Sequence, residues 1–561
     1  MTYSFDVFDT CLCRLCGEPR MMLEVLSRKV VDRMGLCDGQ REHLRQMFVS
    51  LRADAGGELH AVYTSIAKLF PLPCPVDEMV LLELQTEREM LVPINATLRL
   101  VEKMRAKGDG NVMYVSDMYL PSSFIRERLE AFGFFRDGDR LYVSDELGAW
   151  KRDGSLFRLI HEQENIPYRR WHHYGDSRQN DYDVPRRLGI HAHRLRFDYL
   201  PYEEQWRTAP TLHCQYPALL AGVARAVRLS SDAPDDQKAF VCDISAPLIT
   251  MWVARIMADA TRRGIRRLYF CARDVHTHFR VARTLLPLFP DVEVRYLFIS
   301  SPALYESPLC LDYLRQEGMC GDDPVAIVDS CSGGKTLRVM NEKLVAAGCK
   351  EVYGYFWAKM DVDEPLSRYA SDWMLCCRYI DAVVGKPLSR IGGIRILYEL
   401  LFSVNHHYKV FGYERRRTGI LRPVLKPDEW DKWGFTGQGV RSVKKSNDRL
   451  CESFAQACLS TGILPHCDTI MERLLLPTLV EYTDRPRRTY LDYPAHFLWW
   501  EKPFVGAIRG KDKGVWKRGN LFYSLPAFLT TPLRHVLGNY RMRRRFNSLA
   551  SGLHRLLRHG T

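Results

Sequence analysis

What the chain lacks narrows it first. It contains no uninterrupted apolar run of about 18 residues or more, the length a helix needs to cross a bilayer, so no spanning segment is expected. Its opening, MTYSFDVFDT, has no basic stretch followed by an apolar run, and a secretory signal is therefore not expected. Low-complexity tracts and internal repeats are also missing. So are paired CxxC motifs: Cys11, Cys13 and Cys16 cluster, but their spacing is not that of a structural zinc site. The 17 cysteines are scattered and odd in number, which favours reduced thiols in a cytosolic protein over a disulfide framework.

What is present is an ordinary globular composition, 46% hydrophobic and 26% charged, over 561 residues. That length implies two to four domains at roughly 100–200 residues each. Charge is uneven. From Lys502 to the end there are thirteen Lys or Arg against one acid, Asp512, so this tail holds nearly all of the net +13. An electrostatic partner should meet the tail and not the front of the chain.

The first 200 residues alternate short apolar strands with helical patterns, the signature of a parallel sheet with functional loops at the strands' carboxyl ends. SFDVFDT reads as a buried strand from which Asp6 emerges, and helical periodicity follows from about Pro19 to Gly108. NVMYVSD is a second strand, before a helix that begins at Pro121–Ser122. RLYVSDELGAWKRDGSLFRLIHEQ offers a strand, a loop with Lys151 and a helix. WHHYGDSRQNDYDVPRRLGIHAHRL offers a strand, an acidic loop and a helix.

The four loops carry complementary chemistry. Phosphoryl transfer needs a nucleophile, a metal to neutralise phosphate charge, a hydroxyl or amide on an equatorial oxygen, and a cation for developing charge. Asp6 suits the first role, Ser116 the third and Lys151 the fourth, while Asp176 and Asp181 suit Mg²⁺, a hard cation that prefers carboxylate oxygens and water. Taken singly, each has a plainer explanation. A lone Asp after a strand is usually a turn residue, Ser116 and Asp117 would make an N-cap pair, and Lys151 would be a solvated lysine.

Taken in order, FDVFDT, YVSD, WKRDGSLF and GDSRQND resemble the four signature motifs of the haloacid-dehalogenase (HAD) hydrolase superfamily. The resemblance spans about residues 1–200 and implies a Rossmann-like α/β domain with a helical cap at roughly 17–95. It also implies an aspartyl intermediate on Asp6, and a metal held by Asp6, the Phe8 backbone carbonyl, Asp176 and Asp181. One position departs from the pattern. HAD phosphatases usually carry a second Asp two residues after the nucleophile, as general acid and base, and here that place is Phe8. Asp9 follows where Gly is common, and the sequence leaves open whether Asp9, Asp117 and Asp183 take part. Three readings follow: a phosphatase with a displaced acid, a hydrolase of other chemistry, or a domain that binds phosphate and turns over poorly. Loss of the acid slows catalysis without abolishing it, since such help is worth about 10²–10⁴-fold.

Residues 200–237 read as a boundary, and 238–400 as a second α/β domain. RLYFCARD is a strand ending at Arg273–Asp274, and VAIVDSCSGGKTLRVM is a strand, a Gly-containing loop and a helix. Asp329, Gly333, Gly334, Lys335 and Thr336 form a possible second anion site. They resemble a Walker A loop poorly and a phosphoribosyltransferase phosphate loop somewhat better; the plain alternative is a tight strand-to-helix turn. The whole arrangement is similar to large predicted bacterial HAD hydrolases associated with surface-polysaccharide biosynthesis and glycosyltransferases.

The last part, 401–561, reads as a mostly helical, aromatic and basic region, with a helical stretch at 446–480 and the adjacent pair His406–His407 at a spacing unsuited to one metal. Its tail, with Trp499, Trp500, Phe504, Trp516 and Phe522 among the basic residues, suits an anionic membrane surface, a docking surface or a solvated face; nucleic acid is the weakest of its partners. The expectation is thus a cytoplasmic Mg²⁺-dependent phosphatase of a phosphorylated small molecule, such as a sugar phosphate or nucleotide-linked sugar, peripheral to the inner face of the membrane. The alternatives are a non-catalytic ligand-sensing scaffold in polysaccharide biosynthesis, and a transferase centred on Asp329–Thr336.

Overall fold

The computed structural model describes residues 1–36, 38–108, 110–209, 215–272, 275–332, 335–359, 408–427 and 437–484. His406–His407, Arg273–Asp274 and the basic tail fall outside the described residues. The described residues form two compact units, one within 1–233 and 457–465 and one within 234–456 and 466–484.

In the first unit the strands are β1 (Thr2–Phe5), β2 (Leu12–Arg14), β3 (Leu91–Pro93), β4 (Met113–Ser116), β5 (Arg140–Val143), β6 (Trp171–Gly175) and β7 (His191–Arg194). Five of them make one sheet in the order β5-β4-β1-β6-β7, and every pair is parallel. Central parallel strands are covered on both faces, and β1 and β4 are accordingly buried almost throughout, whereas edge strand β7 is not. Phe5, Tyr114 and Val143 pack with helices Asn95–Lys107 and Ser122–Ala131 in one core. Met113, Val115 and Trp171 pack with helix Ser155–Glu164 in the other. From central β1 the chain moves outward through β4 and β5, then crosses back to β6 on the opposite side. The crevice at this reversal, outside the carboxyl ends of β1, β4 and β6, is where open α/β sheets bind ligands.

Helices Pro19–Asp32, Asp38–Asp54, Leu59–Ile66 and Val76–Met90 form the helical cap between β2 and β3. Those two strands pair antiparallel, Leu12 with Pro93 and Arg14 with Leu91, and close its base. The cap interior is polar as well as apolar. Arg52 forms a bidentate pair with Glu83, to which Tyr63 and Tyr119 also donate, and Arg14 pairs with Glu87. Removing one partner of such a buried pair typically costs about 3–5 kcal/mol.

The first unit continues past residue 200. Helices Pro201–Arg207 and Tyr216–Leu229 pack on it, the second by a close approach of backbones: a methyl group on Gly222 would lie 2.4 Å from the Cys16 carbonyl carbon.

The second unit has β8 (Arg267–Cys271), β9 (Glu293–Leu297), β10 (Val325–Ser332) and β11 (Tyr353–Lys359), parallel in the order β11-β10-β8-β9. It also has β12 (Tyr408–Arg415) and β13 (Leu421–Pro427), an antiparallel hairpin in a stretch expected to be mostly helical. Helix Gly437–Thr461 follows, and its Lys444 is buried against Asp448 at 2.6 Å. Helix Asp235–Arg262 is long and apolar enough to cross a membrane by composition, but its apolar window is 94% buried within the protein, as in a core helix. Cys320 and Cys349 are bonded, their Cα atoms 4.9 Å apart, whereas Cys11, Cys13 and Cys16 keep their thiols.

Candidate active site

β1 ends at Phe5 and delivers Asp6 into the crevice, where its backbone N–H donates to Tyr174 O of β6 at 2.8 Å. The chain then turns sharply: Cys11 and Leu12 both donate to Val7 O, and Asp9 donates to Leu12 O. No donor reaches the Phe8 carbonyl oxygen among the described residues.

Asp6, Asp176 and Asp181 each offer a carboxylate oxygen, and these oxygens lie within 4.8 Å of one another. Lys151 is buried between two of them. Its Nζ donates to Asp181 Oδ1 at 2.7 Å and to Asp6 Oδ1. Asp6 Oδ2 accepts no hydrogen bond among the described residues. Asp117 holds the Lys151 loop in place, accepting its backbone N–H at 3.0 Å and 3.3 Å. At the end of β4, Ser116 is 1% exposed and its hydroxyl has no hydrogen-bond partner among the described residues. Buried hydroxyls are ordinarily satisfied, and an orphan at a crevice suits a ligand oxygen.

The electrostatics follow from crowding. Burial lifts Asp6 well above the usual carboxylate range, Lys151 offsets part of this, and Asp181 and Asp176 add to it. Asp176 is pushed up to about 6 by burial, then by the nearby charges of Asp9 and Asp181. Burial acts on Asp181 in the same direction, but Lys151 and His173 outweigh it and hold its pKa well below the usual range. The Lys151 ammonium is correspondingly held charged: desolvation opposes it, and Asp181 and Asp6 prevail. Several carboxylates thus share one buried ammonium. A divalent cation would complete this set, and hard carboxylate oxygens suit Mg²⁺.

The position of the departure is also defined. The Arg14 guanidinium lies over the Phe8 ring, its Cζ 4.7 Å from the ring centroid, and Arg14 is itself paired with Glu87. Asp9 adopts a left-handed backbone with φ 58°, a conformation that glycine takes most easily. Its Oδ1 accepts from Arg225 at 2.7 Å, and Arg225 is fixed in turn by Phe197 O at 2.8 Å. Asp183 lies at the surface, 3.7 Å from Arg178.

Sequence reasoning missed several contributors. Thr10 accepts from the Asp176 N–H at 3.1 Å and donates to Asp176 Oδ1 at 3.3 Å. His173 reaches Asp181 Oδ1 at 3.2 Å. Arg225 lies 216 residues from its partner. Only for His173 was there a local signal: alternate strand residues face the same side, so His173 shares its face with Gly175, next to Asp176.

In the second unit Asp329 is half-buried inside β10, opposite Phe356 of β11, so it belongs to the strand and not to the loop expected to begin with it; helix Lys335–Ala346 follows. Gly333 and Gly334 lie outside the described residues, as do the side chains of Lys335 and Thr336, and with them the anion cradle.

No family model matches the chain, and no curated protein does. Among solved structures it is similar to the crystal structure of a HAD phosphatase from Thermococcus onnurineus, at 20% identity over 35% of this chain and 86% of that one, with a TM-score of 0.26.

Proposed function

We propose that the first unit is a HAD-type hydrolase, a Mg²⁺-dependent phosphatase of a phosphorylated small molecule such as a sugar phosphate or nucleotide-linked sugar. The observation that carries the reading is the set of Asp6, Asp176 and Asp181 with ligand oxygens within 4.8 Å and Lys151 buried between two of them. Asp6, Asp176, Asp181 and the Phe8 carbonyl would hold Mg²⁺, which supplies neutralising charge to the phosphate.

The chain's own groups divide the remaining work. Lys151 engages Asp6 Oδ1 and leaves Oδ2 to attack phosphorus. That attack forms the bond between Asp6 Oδ2 and phosphorus and breaks the bond to the ester oxygen, which departs as the alcohol with a proton from solvent. Ser116 Oγ and Lys151 Nζ hold the phosphoryl oxygens, and water then cleaves the aspartyl phosphate, releasing inorganic phosphate and restoring Asp6. A ligand-sensing role for the same site is the second reading, favoured by Phe8 at the expected acid's place and by the commitment of Asp9 to Arg225. Cytoplasmic placement, association with polysaccharide biosynthesis and contact of the basic tail with membrane or glycosyltransferases belong to the proposal on the strength of sequence alone.

The test is Mg²⁺-dependent phosphate release from sugar phosphates, nucleotides and an aryl phosphate, with Asp6→Asn beside the wild type. Release that requires Mg²⁺ and disappears in the variant is expected. Release that survives Asp6→Asn overturns the mechanism, and none from any compound favours ligand sensing.

A further inference from the structure

Behind the acidic cluster runs a closed line of buried polar groups. Trp171 Nε1 donates to Ser4 Oγ at 2.7 Å, Ser4 Oγ meets His173 Nδ1 at 2.7 Å, and His173 Nε2 meets Asp181 Oδ1 at 3.2 Å. Trp171, Ser4 and His173 are all 0% exposed. They come together because β1 and β6 are parallel neighbours, with Thr2 opposite Trp171 and Ser4 opposite His173.

The direction of every proton follows. An indole nitrogen only donates, so Ser4 accepts from Trp171. Among the described residues the Ser4 hydroxyl has one other partner, His173 Nδ1, so its own proton goes there. Nδ1 is then the bare nitrogen, and the imidazole proton sits on Nε2, facing Asp181 Oδ1. That oxygen takes Lys151 as well, at 2.7 Å, while Asp181 Oδ2 accepts the Ser177 N–H at 3.1 Å. Three donors on different elements therefore hold one carboxylate.

The geometry points to Ser4, His173 and Trp171 as positioning residues that lock His173 in its Nε2–H tautomer and so aim Asp181 at a divalent cation. The inference rests on the metal site of the proposed function, but not on turnover. Outer partners of metal ligands typically contribute about 10–100-fold to metal affinity. Ser4→Ala removes the only donor to Nδ1 among the described residues, so the imidazole can adopt its other tautomer and turn a lone pair toward Asp181.

The test combines ¹⁵N NMR of the full-length wild type with Mn²⁺ binding followed by electron paramagnetic resonance. The wild-type spectrum should show His173 with a protonated Nε2 and a bare Nδ1; a protonated Nδ1 overturns the proposal without any variant. Ser4→Ala should bind Mn²⁺ about tenfold more weakly, in line with the usual range for such partners. Trp171→Phe, which leaves the Ser4–His173 contact, should lose less. A Ser4→Ala protein that folds and binds Mn²⁺ as the wild type does overturns the proposal. Failure of the wild type to bind Mn²⁺ overturns it together with the metal site. Mn²⁺ binding without turnover on any phosphate ester would overturn only the hydrolase reading.

Discussion

Gly175 lies against Asp181 so closely that a methyl group at this position would sit 2.4 Å from Asp181 Cγ and 2.6 Å from Oδ2. Asp181 has no room to yield, because Lys151 and His173 hold Oδ1 and the Ser177 N–H holds Oδ2. Gly175→Ala should therefore displace the carboxylate and weaken divalent-cation binding by about tenfold or more. The overpacking should cost about 1–3 kcal/mol in stability. Calorimetric Mn²⁺ titration and thermal melts check both. A variant that binds Mn²⁺ normally would mean Asp181 is less constrained than its contacts indicate.

The same crowding predicts a pH dependence. Asp176 is raised to about 6 by burial and neighbouring acids, from an ordinary 3.8, and Asp6 is raised as well. A group that holds its proton more tightly when folded stabilises the fold most below its unfolded value, and this contribution is lost as pH rises through the folded one. The metal-free protein should thus lose stability between about pH 4 and 6 through Asp176. Because a metal competes with those protons, affinity for Mg²⁺ should rise with pH through the same window, with proton release on binding. Melts with Mg²⁺ or chelator at pH 5 and 7 should show the larger metal-induced gain at pH 7. Equal gains would show that Asp176 is not a ligand.

How much of this was legible in the sequence depends on distance along the chain. β4 announces itself as an apolar run ending in Ser116, and β1 and β6 as short aromatic-bearing runs before Asp6 and Asp176, and chemistry that depends on residue type at a strand end is readable one segment at a time. Asp6, Ser116 and Asp176 are of this kind; Lys151, in the loop after helix Ser144–Leu147, and Asp181, in the helical turn Arg178–Asp183, are read from their order in the chain. What supports them is read in neither way. Trp171, Ser4 and His173 join only through the register of two strands, and Arg225 meets Asp9 because Gly222 lets a distant helix approach the Cys16 backbone. No periodicity encodes a partner 216 residues away. The hairpin of β12 and β13 was missed for a related reason: its residues pack by tertiary contact, with Tyr413 stacked on Tyr313 at 4.1 Å, and tertiary context overrides weak local propensity.

Asp9 supplies the last prediction, because its pairing separates two roles that the sequence left open. A general acid must face the leaving group and deliver a proton, yet Asp9 Oδ1 accepts from Arg225 at 2.7 Å, and Arg225 is anchored to Phe197 O on its far side. Phe8, at the place where the acid is expected, has no proton to give. Ester cleavage should then depend steeply on the acidity of the departing alcohol, with aryl phosphates turned over faster than alkyl ones by more than binding explains. Asp9→Asn keeps the left-handed turn tolerable and weakens the pair with Arg225. If Asp9 acts through that pair, the variant should slow all substrates by a similar factor and leave the dependence on leaving-group pKa unchanged. If Asp9 is instead the acid, alkyl phosphates should lose about 10²–10⁴-fold while aryl phosphates lose little. Rates for wild type and Asp9→Asn across a series of aryl and alkyl phosphates distinguish these outcomes. The pairing with Arg225 predicts parallel lines.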